Sequence, residues 1–365
     1  MKKTPQNPKY HAEGNVYNHT MLVFEAVMQY VNEQTFSEQE KKNFLNAALL
    51  HDVGKPGVTT LRNGNWSARG HEEAGVSIAR EILLQYPEIS TEERIKILDI
   101  VRWHHIPLRW ITGEMTYNQL LSLSTRVDFS IMGQFSLSDF RGRICQDKAL
   151  LLTQNTTFLK EIVPQIQAHS QPYEMALSTY QRASITHKNA FWKAYLLRQP
   201  QLWQKLLLAP SAKYAPIKNP DFRVIMTIGT PKSGKTTFLQ QQYPYALHIS
   251  LAAWELDGPL PLDTFVRQRI ITAFQYHISV YSRHHRQIVL EGNNLNEETR
   301  QLVSDIIKGL NGELTYLFFE TSLQKCLEYN AASENSLKPE IIEQAYKKLL
   351  YPHPWEAHRL IFAEK

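Results

Sequence analysis

Residues 47–56 read AALLHDVGKP, and this stretch decides how the first half of the chain is read. An apolar helical run ends on the adjacent His51 and Asp52, and Gly54 then lets the chain turn away. One backbone turn therefore offers an imidazole and a carboxylate to the same divalent ion. A lone His-Asp dipeptide means little. Here His19 lies upstream, and RGHEEAG (69–75), DIVRWHHIP (99–107) and SDFRGR (138–143) follow, adding His71, His104, His105 and Asp139. Each segment has helical apolar spacing, so ligands can converge from several helices of a bundle.

Neutral imidazoles and carboxylates without cysteine suit a transition metal such as Mn, Ni, Co, Fe or Zn. Ions in such a set hold a phosphate, lower the pKa of a bound water and stabilise a leaving oxygen, so phosphoester hydrolysis is the natural reaction.

Outward from this stretch, five segments repeat apolar residues at three- and four-residue steps: 19–31, 40–52, 72–86, 91–105 and 117–129. SEQE (37–40) reads as a capping box ahead of the second. KPGVTTLRNGNWSARG (55–70) reads as a loop shaping the mouth of the site. We expect an all-α metal-dependent phosphohydrolase domain over residues 1–152 and a helical extension and linker over 153–220, ending in the proline-rich APSAKYAPIKNPDF (209–222).

Beyond the linker the texture changes. RVIMTIG (223–229), YALHISL (245–251), QIVLEGNN (287–294), ELTYLFF (313–319) and HRLIF (358–362) are β-type runs with helical stretches between them. That alternation predicts an α/β domain with a parallel sheet over residues 221–365. GTPKSGKT (229–236) fits the P-loop pattern in its required strand–loop–helix context. Loop amides and a helix N-terminus point at nucleotide phosphates there. Gly229, Lys232, Ser233, Gly234, Lys235, Thr236 and Thr237 are the expected contacts to ATP or GTP, with Lys235 on the β/γ-phosphates and Thr236 on Mg²⁺.

Phosphoryl transfer also needs a carboxylate near the acceptor and arginines over the phosphates. The end of the second strand presents Ala252 and Ala253 instead, with Glu255 and Asp257 the nearest carboxylates. The late segment expected to form a lid (321–349) holds no arginine, only Lys325, Lys338, Lys347 and Lys348.

The chain has 365 residues, enough for two cores, and ordinary composition. A net charge of +5 and a pI near 8.9 permit a nucleic-acid partner without identifying one. The lysines near the N-terminus have no apolar stretch behind them, so neither a signal peptide nor a membrane span is expected. Cys145 and Cys326 stand far apart, as expected of reduced thiols in a cytoplasm. Oligomeric state is not written in these features.

Taken in order, the two motif sets resemble a bacterial family that joins an HD phosphohydrolase to a polynucleotide 5′-kinase for RNA end healing. ALLHDVGKP, GHEEAG, WHH and SDFRGR also look like the HD module of bacterial tRNA nucleotidyltransferases. The resemblance implies His19, His51, Asp52, His71, His104 and Asp139 as metal ligands, with His51, Asp52 and Lys235 catalytic. Asp128 competes with Asp139 for the last place: eleven residues apart, both fall on one helical face unless Gly133 breaks the helix between them. The RGR after Asp139 matches the family and favours it, and Arg141 and Arg143 would meet the substrate phosphate or stand as solvated arginines. The family's Asp-Asp-x-Arg signature in the kinase half aligns with Ala252, Ala253 and Glu255, so the donor site is kept and the acceptor site is not.

The implied activity is hydrolysis of 2′,3′-cyclic phosphate, 2′-phosphate or 3′-phosphate ends of RNA, or of DNA, by a protein that also binds a nucleotide. An active 5′-kinase using Glu255 or Asp257, and a nucleotide-sensing or RNA-binding module that regulates the hydrolase, are the alternatives.

Overall fold

The computed structural model describes residues 1–124, 127–168, 221–258, 261–353 and 356–363. The chain forms two compact units, Met1–Pro172 and Tyr173–Lys365. Most of the expected helical extension (169–208) and most of the proline-rich linker (209–220) lie outside the described residues.

The first unit is helical. Its elements are α1 (Val16–Glu33), α2 (Glu38–Leu50), α3 (Lys55–Val58), a hairpin of β1 (Thr60–Arg62) and β2 (Asn65–Ser67), α4 (His71–Leu83), α5 (Thr91–Trp103), α6 (Ile106–Ile111), α7 (Tyr117–Leu123), α8 (Phe129–Gly142) and α9 (Lys148–Thr157). Local capping sets where these helices begin. Ser37 and Glu40 form the expected capping box on α2, Ser90 and Glu93 form another on α5, and Asn15 caps α1. The apolar stripes then meet in one core, with Val23, Val27 and Val31 from α1, Phe44 and Ala47 from α2, Ile97 and Val101 from α5, and Phe135 and Phe140 from α8. At Gly142 an added Cβ would lie 2.7 Å from the Val23 backbone nitrogen, so α1 and α8 approach as closely as their backbones allow.

Two expectations need correction. The 55–70 stretch is a short helix and a hairpin rather than irregular loop, although it does line the cleft described below. The 117–129 segment is not one helix: α7 stops at Leu123, and α8 starts after Asp128, whose carboxylate caps it by accepting from Ser130 and Ile131 amides.

The second unit holds a five-stranded sheet in the order β4 (Leu247–Ser250), β5 (Gln287–Glu291), β3 (Phe222–Ile228), β6 (Gly312–Phe318), β7 (Arg359–Phe362), every pair parallel. The crossovers carry α10 (Lys235–Gln242), α11 (Thr264–His284), α12 (Glu297–Gly309), α13 (Leu323–Ala331) and α14 (Pro339–Lys348). Central strands buried on both faces read as near-continuous apolar runs, as in the burial of β3 and β6. Ile225, Leu239, Val289, Leu317 and Phe319 form one core cluster under α10. The last strand is tied in by a fully buried pair, Arg300 with Glu356 (2.6 Å), and Arg300 also donates to the Leu350 carbonyl (3.1 Å). No described helix is long and apolar enough to cross a membrane.

Candidate functional site

Five helical elements bring the first set of candidate ligands together. His19 lies in the first turn of α1, His51 and Asp52 follow α2, His71 opens α4, His104 ends α5, and Asp139 sits in α8. All six side chains are buried. His51, His71 and His104 share one arrangement: each Nδ1 donates to a carbonyl three residues back, on Ala48 (2.8 Å), Ala68 (2.8 Å) and Val101 (3.0 Å). The last turns of α2 and α5 place the Ala48 and Val101 carbonyls and the turn ahead of α4 places that of Ala68, so local geometry sets each tautomer. The Nε2 atoms of all three have no hydrogen-bond partner.

Asp52 stands at the centre. Its Oδ2 lies 3.3 Å from His51 Nε2 and 3.7 Å from His19 Nε2, while Oδ1 lies 3.4 Å from His71 Nε2 and 4.0 Å from His104 Nε2. His19 Nε2 is 3.1 Å from Asp139 Oδ1. The ring nitrogens and carboxylates fall into three groups that could each hold an ion, His19–His51–Asp139, His71–His104–His105 and His11–Glu13–His19, the atoms of each within 4.8 Å of one another. His105, adjacent to His104 in WHH, thus joins the cluster.

Buried nitrogens without partners are costly unless something completes them. Their electrostatics suit a cation. Burial pushes His71 down to about 4 and His104 well below the usual imidazole range, so both are neutral at pH 7. Burial also works to raise Asp52 and Asp139, but Lys55 and His51 beside the first, and Arg143 and His19 beside the second, outweigh it. Both carboxyls are held well below the usual carboxylate range. Neutral His71 and His104 with ionised carboxylates are the protonation state a metal needs, whereas at His19 burial works to lower the pKa but the bonds to Asp139 and Glu13 outweigh it and raise it, so an ion there would displace a proton.

Sequence reasoning missed the groups behind this set. Glu13 Oε1 accepts from His11 Nδ1 (2.7 Å) and stands 3.0 Å from His19 Nδ1, while its Oε2 accepts from the Ile144 amide (2.9 Å). Burial opposes the charge on Glu13, but the bonds from His11 and His19 hold its pKa far below the ordinary value. Glu72 accepts from Arg109 (2.7 Å) and His105 (3.2 Å). The only sequence hint was adjacency to His71 and to His104.

Asp139 stands in the cluster, 3.1 Å from His19 Nε2, whereas the Asp128 carboxylate is taken up as the N-cap of α8. Gly133 does not break α8. A Cβ there would meet Leu159 Cδ2 at 2.5 Å, so the glycine serves close packing. Arg143 is neither solvated nor free: it is buried and paired with Asp139 Oδ2 at 2.7 Å, while Arg141 is exposed. A cleft of about 1010 Å³ opens beside the cluster, lined by Lys55, Trp66, Arg69, His71, His105 and Arg109 among others.

In the second unit, the turn between β3 and α10 is the glycine-rich loop singled out in the sequence. Gly229 (φ 157°), Lys232 (φ 64°) and Gly234 (φ 91°) shape it, and at Gly229 a Cβ would come within 2.9 Å of Ser233 Oγ. Lys235 opens α10 and donates to the Gly229 (2.9 Å) and Thr230 (2.8 Å) carbonyls and to Asn293 Oδ1 (3.0 Å). Burial lowers Lys235 to about 8. Thr236 Oγ1 donates to Glu291 at the end of β5, a carboxylate the sequence reading did not single out. Ser233 Oγ is buried with no partner, and Thr237 is exposed on α10. The Lys232 side chain leaves the loop to reach Ser333 Oγ (2.9 Å) and the Asn335 carbonyl (2.6 Å), between α13 and α14.

Ala252 and Ala253 sit in a 3₁₀ turn directly after β4, and Glu255 is exposed with φ 56°. Asp257 is engaged by its own chain: it accepts from the Asn293 (2.5 Å) and Asn294 (2.8 Å) amides and from Asn293 Nδ2 (2.9 Å).

Residues 16–127 match the family model described as HD domain. That span takes in His19, His51, Asp52, His71 and His104 and ends before Asp139. Such a domain together with this His/Asp cluster indicates a metal-dependent phosphohydrolase. Among curated proteins, none matches the chain.

Proposed function

We propose that the first unit hydrolyses 2′,3′-cyclic phosphate, 2′-phosphate or 3′-phosphate ends of RNA, and that the second binds ATP or GTP without serving as an efficient kinase. The carrying observation is the trio of buried Nε2 atoms on His51, His71 and His104, left bare around the buried Asp52 carboxylate. A divalent ion such as Mn, Ni, Co, Fe or Zn completes those atoms, and it supplies Lewis acidity and an activated water when bound. His19, His51 and Asp139 would hold one ion and His71 and His104, with His105, another. Asp52 offers an oxygen to each group.

The remaining chemistry belongs to the chain's own residues. The Nδ1 bonds to carbonyls three residues back fix the three rings before anything binds, so little reorganisation is needed. Lys55, 2.7 Å from Asp52 Oδ2, brings positive charge to the mouth of the cleft, where a phosphate dianion would lie. Glu72 holds Arg109 and His105 on the same wall, and Arg143 is spent on fixing Asp139. In the second unit Lys235, Thr236 and the amides from Gly229 to Thr237 would receive the triphosphate, and Glu291 with Thr236 would receive Mg²⁺. On the acceptor side Ala252 and Ala253 carry no base and Asp257 is committed to Asn293 and Asn294, which leaves the exposed Glu255 as the carboxylate of that stretch.

The test is phosphate release from RNA oligonucleotides bearing each kind of end, with and without Mn²⁺, beside mononucleotides and DNA. Activity should need the metal and vanish in His51→Ala and Asp52→Ala. Full activity in those variants removes the metal-centre reading. Transfer of labelled γ-phosphate to a 5′-hydroxyl end, lost in Lys235→Ala, would overturn the view of the second unit.

A further inference from the structure

The long helix α11 has two unlike faces. Phe274 and Ile278 are its fully buried residues, and Trp254 after β4 packs on Phe274 (5.6 Å between centroids) and His277 (4.8 Å). That face is the anchor. At about 100° per residue, Phe265, Arg269, Tyr276 and Arg283 fall within about 40° of one another and roughly opposite Phe274 and Ile278. They make a stripe of aromatic, arginine, aromatic, arginine about 27 Å long at about 1.5 Å per residue.

The stripe is open. Phe265 is 70% exposed and Tyr276 64%, values that leave most of each ring available to a partner. Arg269 and Arg283 are exposed, and among the described residues neither has a carboxylate partner. Arg269 lies over the Phe265 ring at 6.0 Å. From Thr264 to His284 the helix has no acidic residue at all, and His285 and Arg286 extend the basic end. Arg267, on a different azimuth, is the one arginine neutralised on the helix, by Glu298 at 2.7 Å.

We propose that this stripe binds single-stranded nucleic acid, its aromatic rings stacking bases and Arg269 and Arg283 meeting phosphates. Rings and guanidinium groups alternating along one open line are what a strand with unstacked bases requires. A second copy of the chain is a poor occupant, because two such stripes face to face bring arginines together with no acid to neutralise them. The stripe also explains how a unit with an emptied acceptor site still serves RNA: it holds the strand instead of phosphorylating it. Only the choice of RNA as the strand rests on the function proposed above.

The probe is a 12-nucleotide oligouridylate with a 5′-fluorescein and a 3′-hydroxyl, which has no phosphate end to hydrolyse, followed by anisotropy with the full chain. Charge reversal at both arginines (Arg269→Glu with Arg283→Glu) should weaken binding at least tenfold in 50 mM salt. The slope of log K against log salt should shrink by about 1.4, at about 0.7 per single-strand phosphate contact. Phe265→Ala with Tyr276→Ala should cost at least fivefold, with hydrolysis of bis(p-nitrophenyl) phosphate unchanged in both double variants. Affinities within twofold of wild type, no binding by the wild-type chain, or equal affinity for a duplex would each overturn the proposal. So would sedimentation showing that the aromatic variant alters self-association while RNA affinity is kept. Absence of metal-dependent phosphatase activity in the wild-type chain with RNA binding intact would strike only the hydrolase reading.

Discussion

Replacing Gly54 by alanine tests whether the metal centre depends on the contact of two backbones. Gly54 has ordinary helical dihedrals (φ −79°), so its reason is space and not conformational freedom. An added Cβ would stand 2.1 Å from the His71 carbonyl oxygen, 2.5 Å from Gly75 N and 2.9 Å from Gly75 Cα. Ordinary contact begins near 3.4 Å, so the turn after Asp52 and the first turn of α4 must part by about 1.3 Å. Neither side is a flexible side-chain tip that can swing away. The opening falls on the residue whose Nε2 lies 3.4 Å from Asp52 Oδ1, and it separates the two halves of the ligand set.

Overpacking of this kind costs about 1–3 kcal/mol. A displacement of about 1 Å at a reacting centre costs on the order of 10²-fold in rate. For a unit of this size the melting temperature should drop by roughly 2–12 °C. The assays are thermal unfolding, Mn²⁺ titration calorimetry and phosphate release. Gly57→Ala is the control, three residues on, where an added Cβ meets nothing within 4 Å. It should leave metal binding alone and hold or slightly raise stability, since alanine suits a helix better by about 0.5–1 kcal/mol. If Gly54→Ala binds Mn²⁺ and melts as the wild type does, the close approach does not set the site and the reasoning fails.

Glu13→Gln leaves one acceptor oxygen where His11, His19 and the Ile144 amide now converge, so Mn²⁺ affinity should fall about 10–100-fold with the fold intact, as calorimetry and circular dichroism would show. Removing the guanidinium in Arg300→Ala strands Glu356 in the core and should cost about 3–5 kcal/mol of unfolding free energy in urea titrations; a loss under 1 kcal/mol contradicts the buried-pair account. Lys235 is lowered to about 8 by burial, so between there and its unfolded value near 10.5 the unfolded chain holds more protons and the free unit gains stability as pH rises. Nucleotide phosphates favour the charged form, so ATP affinity should instead decline as pH rises above about 8, with proton uptake visible as buffer-dependent heats. Lys235→Arg should flatten that decline.

How far the chemistry could be read without a structure depended on where each residue's partners come from. His51, His71 and His104 were legible because what prepares them is local: each rests on a carbonyl three residues back, in the last turn of the helix before it for His51 and His104 and in the turn ahead of α4 for His71. Periodicity could not choose between Asp139 and Asp128, because eleven residues bring both to one face of a helix that Gly133 does not break. Asp128 is spent as an N-cap, a use that short-range hydrogen bonding makes available to any aspartate ahead of a helix. Glu13 lies before α1 in a segment without periodicity, and only the packing of α1 on α8 brings it beneath His19. The alternation of strands and helices announced the parallel sheet but not its order. Thr236 meets Glu291 because β5, not β4, pairs with β3, and that choice is made by the whole sheet. Residues whose role is created by such pairings carry no local mark, which is why Arg143 read as either a substrate contact or a solvated arginine when its guanidinium is committed to Asp139.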